Sequence, residues 1–276
     1  PVNLAYEAAT ADLNDVNMID PFHLEAYGKT AVNYNRDVEI FPVLRTIFEK
    51  IQGNCPYKSP TDMGVNMAGS CIINDKACCE ASQMEILRRY YTSSVNHLRG
   101  KNDGSERRKI ELIMNQANIT PDIFPAVSAA LLKAETTGSP AGALMLPDGR
   151  IVTGKTSSTL GAASALLLNS LKVLGSIDDD MDLISAQVLE PICGLKTQYL
   201  KHKNPRLHTD EVLIALTVSA LTNPHAKTAK EQLSKLNGSE AHFSVILSEE
   251  DEMILRRLGI NVSCEARFEH KKLYHR

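Results

Sequence analysis

Gly149-Arg-Ile-Val-Thr-Gly-Lys-Thr156, GRIVTGKT, decides how the second half of this 276-residue chain is read. Its letters fit G-x-x-x-x-G-K-[ST], the spelling of a phosphate-binding loop. Such a loop curls successive backbone N–H groups toward one point, which needs residues that tolerate left-handed or turn conformations. Here the four middle residues are Arg150, Ile151, Val152 and Thr153. Ile and Val resist positive φ and prefer extended chain. Just before them, Pro147-Asp148-Gly149 is a tight-turn tripeptide. Two readings follow. In one, strand, nucleotide loop and helix succeed each other. In the other, Ala143–Leu146 and Arg150–Thr153 form a β-hairpin that leads into a helix.

Both readings share one feature. Gly154-Lys-Thr-Ser-Ser-Thr159 ends a strand and opens a helix, expected from Leu160 to Leu174. That helix is apolar on nearly every side and so should be a buried central element. Its first turn would present unpaired N–H groups, four hydroxyls and one lysine, an end that suits an anion held by Lys155, Thr156, Ser157 and Ser158. In the plainer alternative, Ser157 or Ser158 caps the helix and Lys155 is solvated.

Away from this stretch the period is mostly helical. Val38, Phe41, Leu44, Ile47, Phe48 and Ile51 recur at three and four residues. A loop with two prolines follows, then a helix from Asp75 to Leu98 capped by Asn74, and further helices over Ser105–Ala117 and Pro121–Glu135, the last with Pro121 at its first position. TTGSPAG (136–142) reads as a domain boundary. Beyond the hairpin, helices are expected at about 185–201, 209–221 and 225–236, and a strand over Glu240–Leu247. Ser248 then caps a helix to Leu258, Gly259 ends it, and Ile260–Cys264 is a closing strand. The expected class is α+β, mostly helical: a segment 1–35 containing one short apolar helix (Leu4–Leu13) and packing on material not present, a helical domain 36–137, and an α/β domain 138–276 with a small mixed sheet.

Composition narrows the function. Hydrophobic residues make up 43%, enough for a real core, and the net charge of -3 offers no basic excess to neutralise a nucleic-acid backbone. The longest apolar run, around Ala162–Leu168, is too short to cross a bilayer. The chain begins Pro-Val-Asn-Leu, without a secretory signal and without an initiator Met, so a cytoplasmic protein and a processed or partial chain are expected. Six cysteines, with no C-x-x-C pair, read as reduced thiols rather than zinc ligands.

Other polar clusters stand out. CPYKSPTDMGVNM (55–67) holds Lys58, Ser59, Thr61, Asp62 and Asn66 within nine residues. It is either a functional loop or a connector whose Asp and Thr bond their own backbone. NPRLHTDEVLIAL (204–216) places Arg206, His208, Asp210 and Glu211 at a helix start, for proton transfer or simply to complement the helix dipole. His242 is a core histidine by alternation, or the partner of a Cys264 nucleophile. Arg88-Arg89-Tyr90-Tyr91 would bind an anion or a second subunit. One site gathers most of these: Lys58, Asn66, Lys155, Thr156, Ser157, Ser158 and Arg206 binding an anionic small molecule, with His208, Asp210 and Asp62 moving protons. The rival is a non-catalytic oligomerisation or ligand-sensing module, a homo-oligomer built through the helical domain.

NLAYEAATADLNDVNMIDPFHLEAYGK, YKSPTDMGVNMAG, LPDGRIVTGKTSS and NPRLHTDEVLIAL together closely resemble the bacterial domain-of-unknown-function 1846 family, from Pro1 to about Glu265. The resemblance implies longer proteins of which this chain is the C-terminal part. It implies a preceding α/β region that ends in a glycine-rich segment similar to a phosphate loop. ATP or another nucleotide, if the family uses one, would bind there. It also implies an α/β domain with a topology similar to deaminase-like folds. Some members are labelled ATP-dependent peptidases and would be hydrolases. This chain has no H-E-x-x-H, no G-x-S-x-G, and no H-x-E with P-C-x-x-C, so neither peptidase nor deaminase chemistry follows from fold alone.

Overall fold

The computed structural model describes residues 17–29, 31–67 and 75–269. The stretch Leu4–Leu13, Cys71 and the expected cap Asn74 lie outside the described residues. The protein is α+β and mainly helical, and it falls into two compact units. One is Pro1–Ser93 with Gly100–Thr120. The other is Ser94–Arg99 with Pro121–Arg276.

Among its described residues the first unit starts with a two-stranded antiparallel ladder that the polar sequence did not announce: β1 (Asn17–Ile19) pairs with β2 (Val32–Tyr34). Between them, α1 (Pro21–Tyr27) starts on Asp20 and ends on Gly28, whose φ of 64° closes the helix in the left-handed region. Asp20 is fully buried. Its Oδ1 accepts the amides of Phe22 and His23, each at 3.0 Å, while Oδ2 accepts the Thr61 amide at 3.0 Å and the Thr61 hydroxyl at 2.6 Å. One carboxylate therefore caps α1 and fastens it to the segment that the sequence reads as a loop. Part of that loop is helical, as α3 (Pro60–Met67), which follows α2 (Asn35–Gln52). Local signals explain it. Ser59 Oγ accepts the Asp62 amide at 3.1 Å, Pro60 opens the helix and Asp62 sits in its first turn. α4 (Asp75–Leu98) and α5 (Ser105–Ala117) occupy the expected spans.

The second unit is a four-stranded mixed sheet with helices on both faces. β3 (Ala141–Met145) and β4 (Ile151–Lys155) form an antiparallel hairpin, β3 also pairs antiparallel with β5 (Glu240–Phe243), and β5 runs parallel to β6 (Asn261–Cys264), giving the order β4-β3-β5-β6. α6 (Pro125–Thr137) packs on β3, β4 and β5. Pro125, not Pro121, holds its first position, because Pro121–Ile123 is a separate 3₁₀ turn. α7 (Ala162–Gly175) covers the opposite face, burying Leu166, Leu167 and Leu171 against Leu144, Val152, Phe243 and Val262. Each such leucine contributes about 1.5–3 kcal/mol. α8 (Ala186–Gly194) runs into a π-helical turn, Leu195–Tyr199, where one continuous helix was expected. α9 (Thr209–Ser219), α10 (Pro224–Glu231) and a 3₁₀ turn (Leu233–Leu236) lead to β5. That strand stops at Phe243, four residues short of the expected end, because the Ile246 amide bonds to the Arg267 carbonyl instead of continuing the ladder. α11 (Glu249–Arg257) then links it to β6.

The GRIVTGKT stretch is thus the second arm of a hairpin. Gly149 turns at φ 85°, and Ile151 to Lys155 pair residue by residue with Met145 to Ala141. Gly154 lies directly across from Gly142. A Cβ on Gly154 would fall 2.3 Å from the Leu166 amide nitrogen, and one on Gly142 would fall 2.4 Å from the Phe243 ring and 3.2 Å from the Leu166 side chain. The second glycine of the phosphate-loop spelling is therefore accounted for by the close approach of α7.

Candidate functional site

A dense polar cluster lies where α9 and α11 begin. Ser248 Oγ accepts the Asp251 amide at 3.1 Å and caps α11. That capping draws the Asp251 carboxylate to the start of α9, where Oδ1 accepts the Thr209 amide at 2.8 Å and its hydroxyl at 3.1 Å. Oδ2 meets His208 Nδ1 at 3.0 Å and accepts the Ser248 hydroxyl at 2.9 Å. The Asp251 side chain is 12% exposed and that of His208 34%. Burial alone would raise the Asp251 pKa, but His208, the Thr209 amide and Ser248 outweigh it and hold the carboxyl below its ordinary value. The hydrogen bond to Asp251 lifts the His208 imidazole above its ordinary value, against its partial burial. A half-buried imidazole oriented by a fixed carboxylate is competent to take and return a proton.

Around it, Arg206 and His208 flank Leu207, whose amide bonds to the Thr159 carbonyl at 2.8 Å and which bridges Leu160 in parallel register. Arg206 Nε donates to the Ser157 carbonyl at 3.0 Å, and its guanidinium pairs with Glu269 at 2.6 Å. Segments 157–160 and 206–208 therefore meet. Lys155 ends β4 and is exposed, Thr156 is buried, and Ser158 is exposed. Ser157 Oγ accepts the amides of Thr159 and Leu160, closing a turn two residues ahead of α7. The helix begins at Ala162 rather than at Leu160, and the Gly161 amide is directed at the Leu207 carbonyl at 3.4 Å. Asp210 is exposed and accepts only the neighbouring Glu211 amide among the bonds described, so Asp251 rather than Asp210 is the carboxylate beside His208.

The remaining candidates form their own cluster in the first unit. Asp62 accepts the Tyr27 hydroxyl at 2.7 Å and the Lys58 amide at 3.2 Å, and it lies 3.8 Å from His23 Nδ1. The bond to Asp62 pushes the Tyr27 phenol up to about 12. His23 Nδ1 contacts Ser59 Oγ at 3.1 Å, and burial holds this imidazole below its ordinary value. Lys58 Nζ stands 5.3 Å over the Tyr27 ring and lines an open groove of about 640 Å³ with Phe22, Arg45, Glu49 and Tyr57. Asn66 belongs to α3, and its side chain lies outside the described residues.

Two other expectations resolve clearly. His242 is fully buried and pairs across the ladder with Ser263, whose Oγ lies 2.9 Å from Nδ1, and its ring meets Phe124 edge-on. Cys264 is the next residue along β6 and faces the α7 core, where burial pushes its thiol up to about 12. The pair is thus on opposite faces of the sheet, and Cys264 is not a nucleophile for it. Arg88 and Arg89 both turn to Glu85, at 2.9 Å and 2.7 Å, and Tyr91 is buried. Cys55, Cys193 and Cys264 are free thiols. No helix among the described residues is long and apolar enough to cross a membrane.

Sequence reasoning missed Asp251. It appears as one of four consecutive acids that complement a helix dipole, and nothing local distinguishes it from Glu249, Glu250 or Glu252. Lys196 was also missed. It is a single lysine in an otherwise ordinary helical stretch, yet only 2% of its side chain is exposed.

Such an α+β chain, with its polar groups drawn to helix starts, matches one sequence family over both units. Residues 1–118 match the N-terminal domain of unknown function DUF1846 and residues 122–274 its C-terminal domain. The chain belongs to the DUF1846 family. It is 55% identical over 274 residues to a UPF0371 protein of Streptococcus pyogenes serotype M5 (strain Manfredo), covering 99% of this chain and 56% of that protein. To a UPF0371 protein of Streptococcus thermophilus (strain LMD-9) it is 54% identical over the same length and shares. The chain therefore spans a little over half the length of these curated relatives.

Proposed function

We propose that the second unit carries a proton-transfer site for an anionic small molecule, with His208 as the group that moves the proton and Asp251 as the group that orients it. The observation that carries this reading is the His208–Asp251 pair itself: a carboxylate fixed by three other donors, the Thr209 amide and hydroxyl and the Ser248 hydroxyl, holds a partly exposed imidazole at 3.0 Å. Arg206, Lys155 and the hydroxyls of Thr156, Ser157 and Ser158 would bind the anion, since Arg206 and Ser157 are joined beside Leu207. Lys58 and Asp62 belong with Tyr27 and His23 to a separate polar cluster of the first unit, on the same unit as Asn66. A nucleotide such as ATP would be the business of the additional length in longer relatives. The free thiols accord with a cytoplasmic setting. The deaminase-like topology stays with this proposal: an antiparallel hairpin joined to a helix-linked parallel pair is in keeping with it.

Thermal-shift measurement on the full chain with inorganic phosphate and phosphorylated metabolites tests the reading. Binding at a hundred times Kd stabilises the folded chain by about 2.7 kcal/mol. The expected result is a rise in Tm with at least one of these anions that R206A and H208N abolish. No response, or one that both variants retain in full, would sink it.

A second reading has its own observation. α9 exposes Ile214 and Val218, with Leu221 just beyond it, and the adjoining π-helical turn exposes Leu195 and Tyr199. Exposed apolar residues in such a run favour self-association of the second unit, as a homo-oligomer.

A further inference from the structure

Lys196 is the most deeply buried cation among the described residues, and no part of the proposed reaction yet uses it. It sits in the π-helical turn Leu195–Tyr199, a kind of helical irregularity that recurs at functional sites. Its Nζ donates to Glu211 Oε2 at 2.6 Å and to the Arg206 carbonyl at 2.7 Å. The same Glu211 oxygen accepts the His208 amide at 2.7 Å. One ammonium thus grips the backbone on both sides of Leu207, directly at Arg206 and through Glu211 at His208. From the other direction Leu207 is held by Thr159. Burying an ammonium is costly, and apolar packing in its place is often at least as stable, so this pair is better read as setting one geometry than as adding stability.

We infer that Lys196 is the positioning residue of the His208 site: by fixing the Arg206 carbonyl and, through Glu211, the His208 amide, it sets the imidazole against Asp251. The inference rests on the reading of His208 as the working group, but its test is independent of any ligand. The groups that face the imidazole are Asp251, Ser248, Glu211 and Lys196 itself. As a bare neighbouring charge, Lys196 lowers the affinity of His208 for a proton, whereas Asp251 and Glu211 raise it. A role limited to charge and a positioning role therefore predict opposite signs when the lysine is neutralised.

The experiment is NMR titration of the His208 ring nitrogens in the full chain, in wild type, K196M and D251N. If Lys196 positions His208, K196M lets the imidazole leave Asp251. The His208 pKa then shifts downward, as in D251N, and the hydrogen-bonded Nδ1–H signal expected of the wild type is lost. If Lys196 acts only through its charge, K196M shifts the pKa upward and keeps that signal, and the inference is overturned. An unchanged pKa overturns it equally. Should K196M fail to fold, K196A, which likewise removes both the charge and the donors to the Arg206 carbonyl and Glu211, carries the same two readouts with the same signs. Failure of the functional reading is a separate event: it shows as an anion response indifferent to H208N, whatever K196M does to the titration.

Discussion

Gly154 is where a single hydrogen atom decides the spacing between strand and helix. A methyl group there would lie 2.3 Å from the Leu166 nitrogen and 2.5 Å from its Cα. Backbone cannot swing aside as a side chain can, so G154A is expected to destabilise the second unit by about 3 kcal/mol, the upper part of the range for overpacking. Urea denaturation followed by far-UV circular dichroism checks this, with G149A as comparison. Gly149 has open space around it and only its φ of 85° to lose, so about 1–2 kcal/mol is expected there. Equal, small effects at the two sites would contradict the packing account. The residue scale also shows what a linear chain conceals. Pro147-Asp148-Gly149 and the β-branched pair after Arg150 make the hairpin legible, because turn chemistry and extended preference are local. That Gly154 answers to Leu166, and His208 to Asp251, is invisible for the same reason. Each partner is supplied by tertiary packing, in the second case 43 residues away.

Elements were legible where their signals repeat. α4, α5 and α9 stand close to their expected spans: Gly100 and Gly104 interrupt the chain between α4 and α5, and the acids Asp210 and Glu211 open α9. The short pieces escaped. β1 and β2 have three residues each, too few for alternation to register, and α3 was concealed by Pro56, Pro60 and Gly64 in one short stretch. Its capping signals were nonetheless present at Ser59, Pro60 and Asp62. Periodicity also failed to say which face is covered. In α2 the same repeat includes buried Phe41 and exposed Ile47 and Ile51. The exposed face of α9 has a direct consequence. If the second unit self-associates there, the double variant V218K/L221K shifts the chain toward monomer in light scattering coupled to size exclusion. Its effect on monomer stability stays within about 0.5 kcal/mol, since both positions are solvent-facing. Unchanged mass at every concentration would remove α9 from any interface.

Across the whole molecule, the two units carry histidines of opposite disposition. In the second unit His208 holds its proton more tightly folded than unfolded, and Asp251 holds its own less tightly. The imidazole's contribution is complete below its unfolded value of 6.5 and fades as pH rises through the higher folded value. The carboxylate's contribution is complete above 3.8 and fades as pH falls through the lower folded value. The pair therefore contributes most between those two limits. In the first unit, burial disfavours the charged form of His23, so its contribution is complete above 6.5 and is lost as pH falls through the depressed folded value. Denaturation monitored by hydrogen exchange in each unit should accordingly move in opposite directions from pH 5.5 to 7.5, the first gaining and the second losing protection. H23N and H208N should each flatten only its own curve. Parallel behaviour of both units, or flattening by the wrong variant, would show that these two imidazoles do not govern the response.

The facing glycines of β3 and β4 have a mechanical meaning. Together they make a notch in the sheet, closed at one side by the Phe243 ring, and a turn of α7 seats in it like a tooth in a rack. A cylinder indexed in this way can neither slide along the strands nor roll without lifting free of its slot. The seam between α7 and the hairpin is thereby the fixed part of the second unit, against which the connectors at 156–161 and 200–208 are laid.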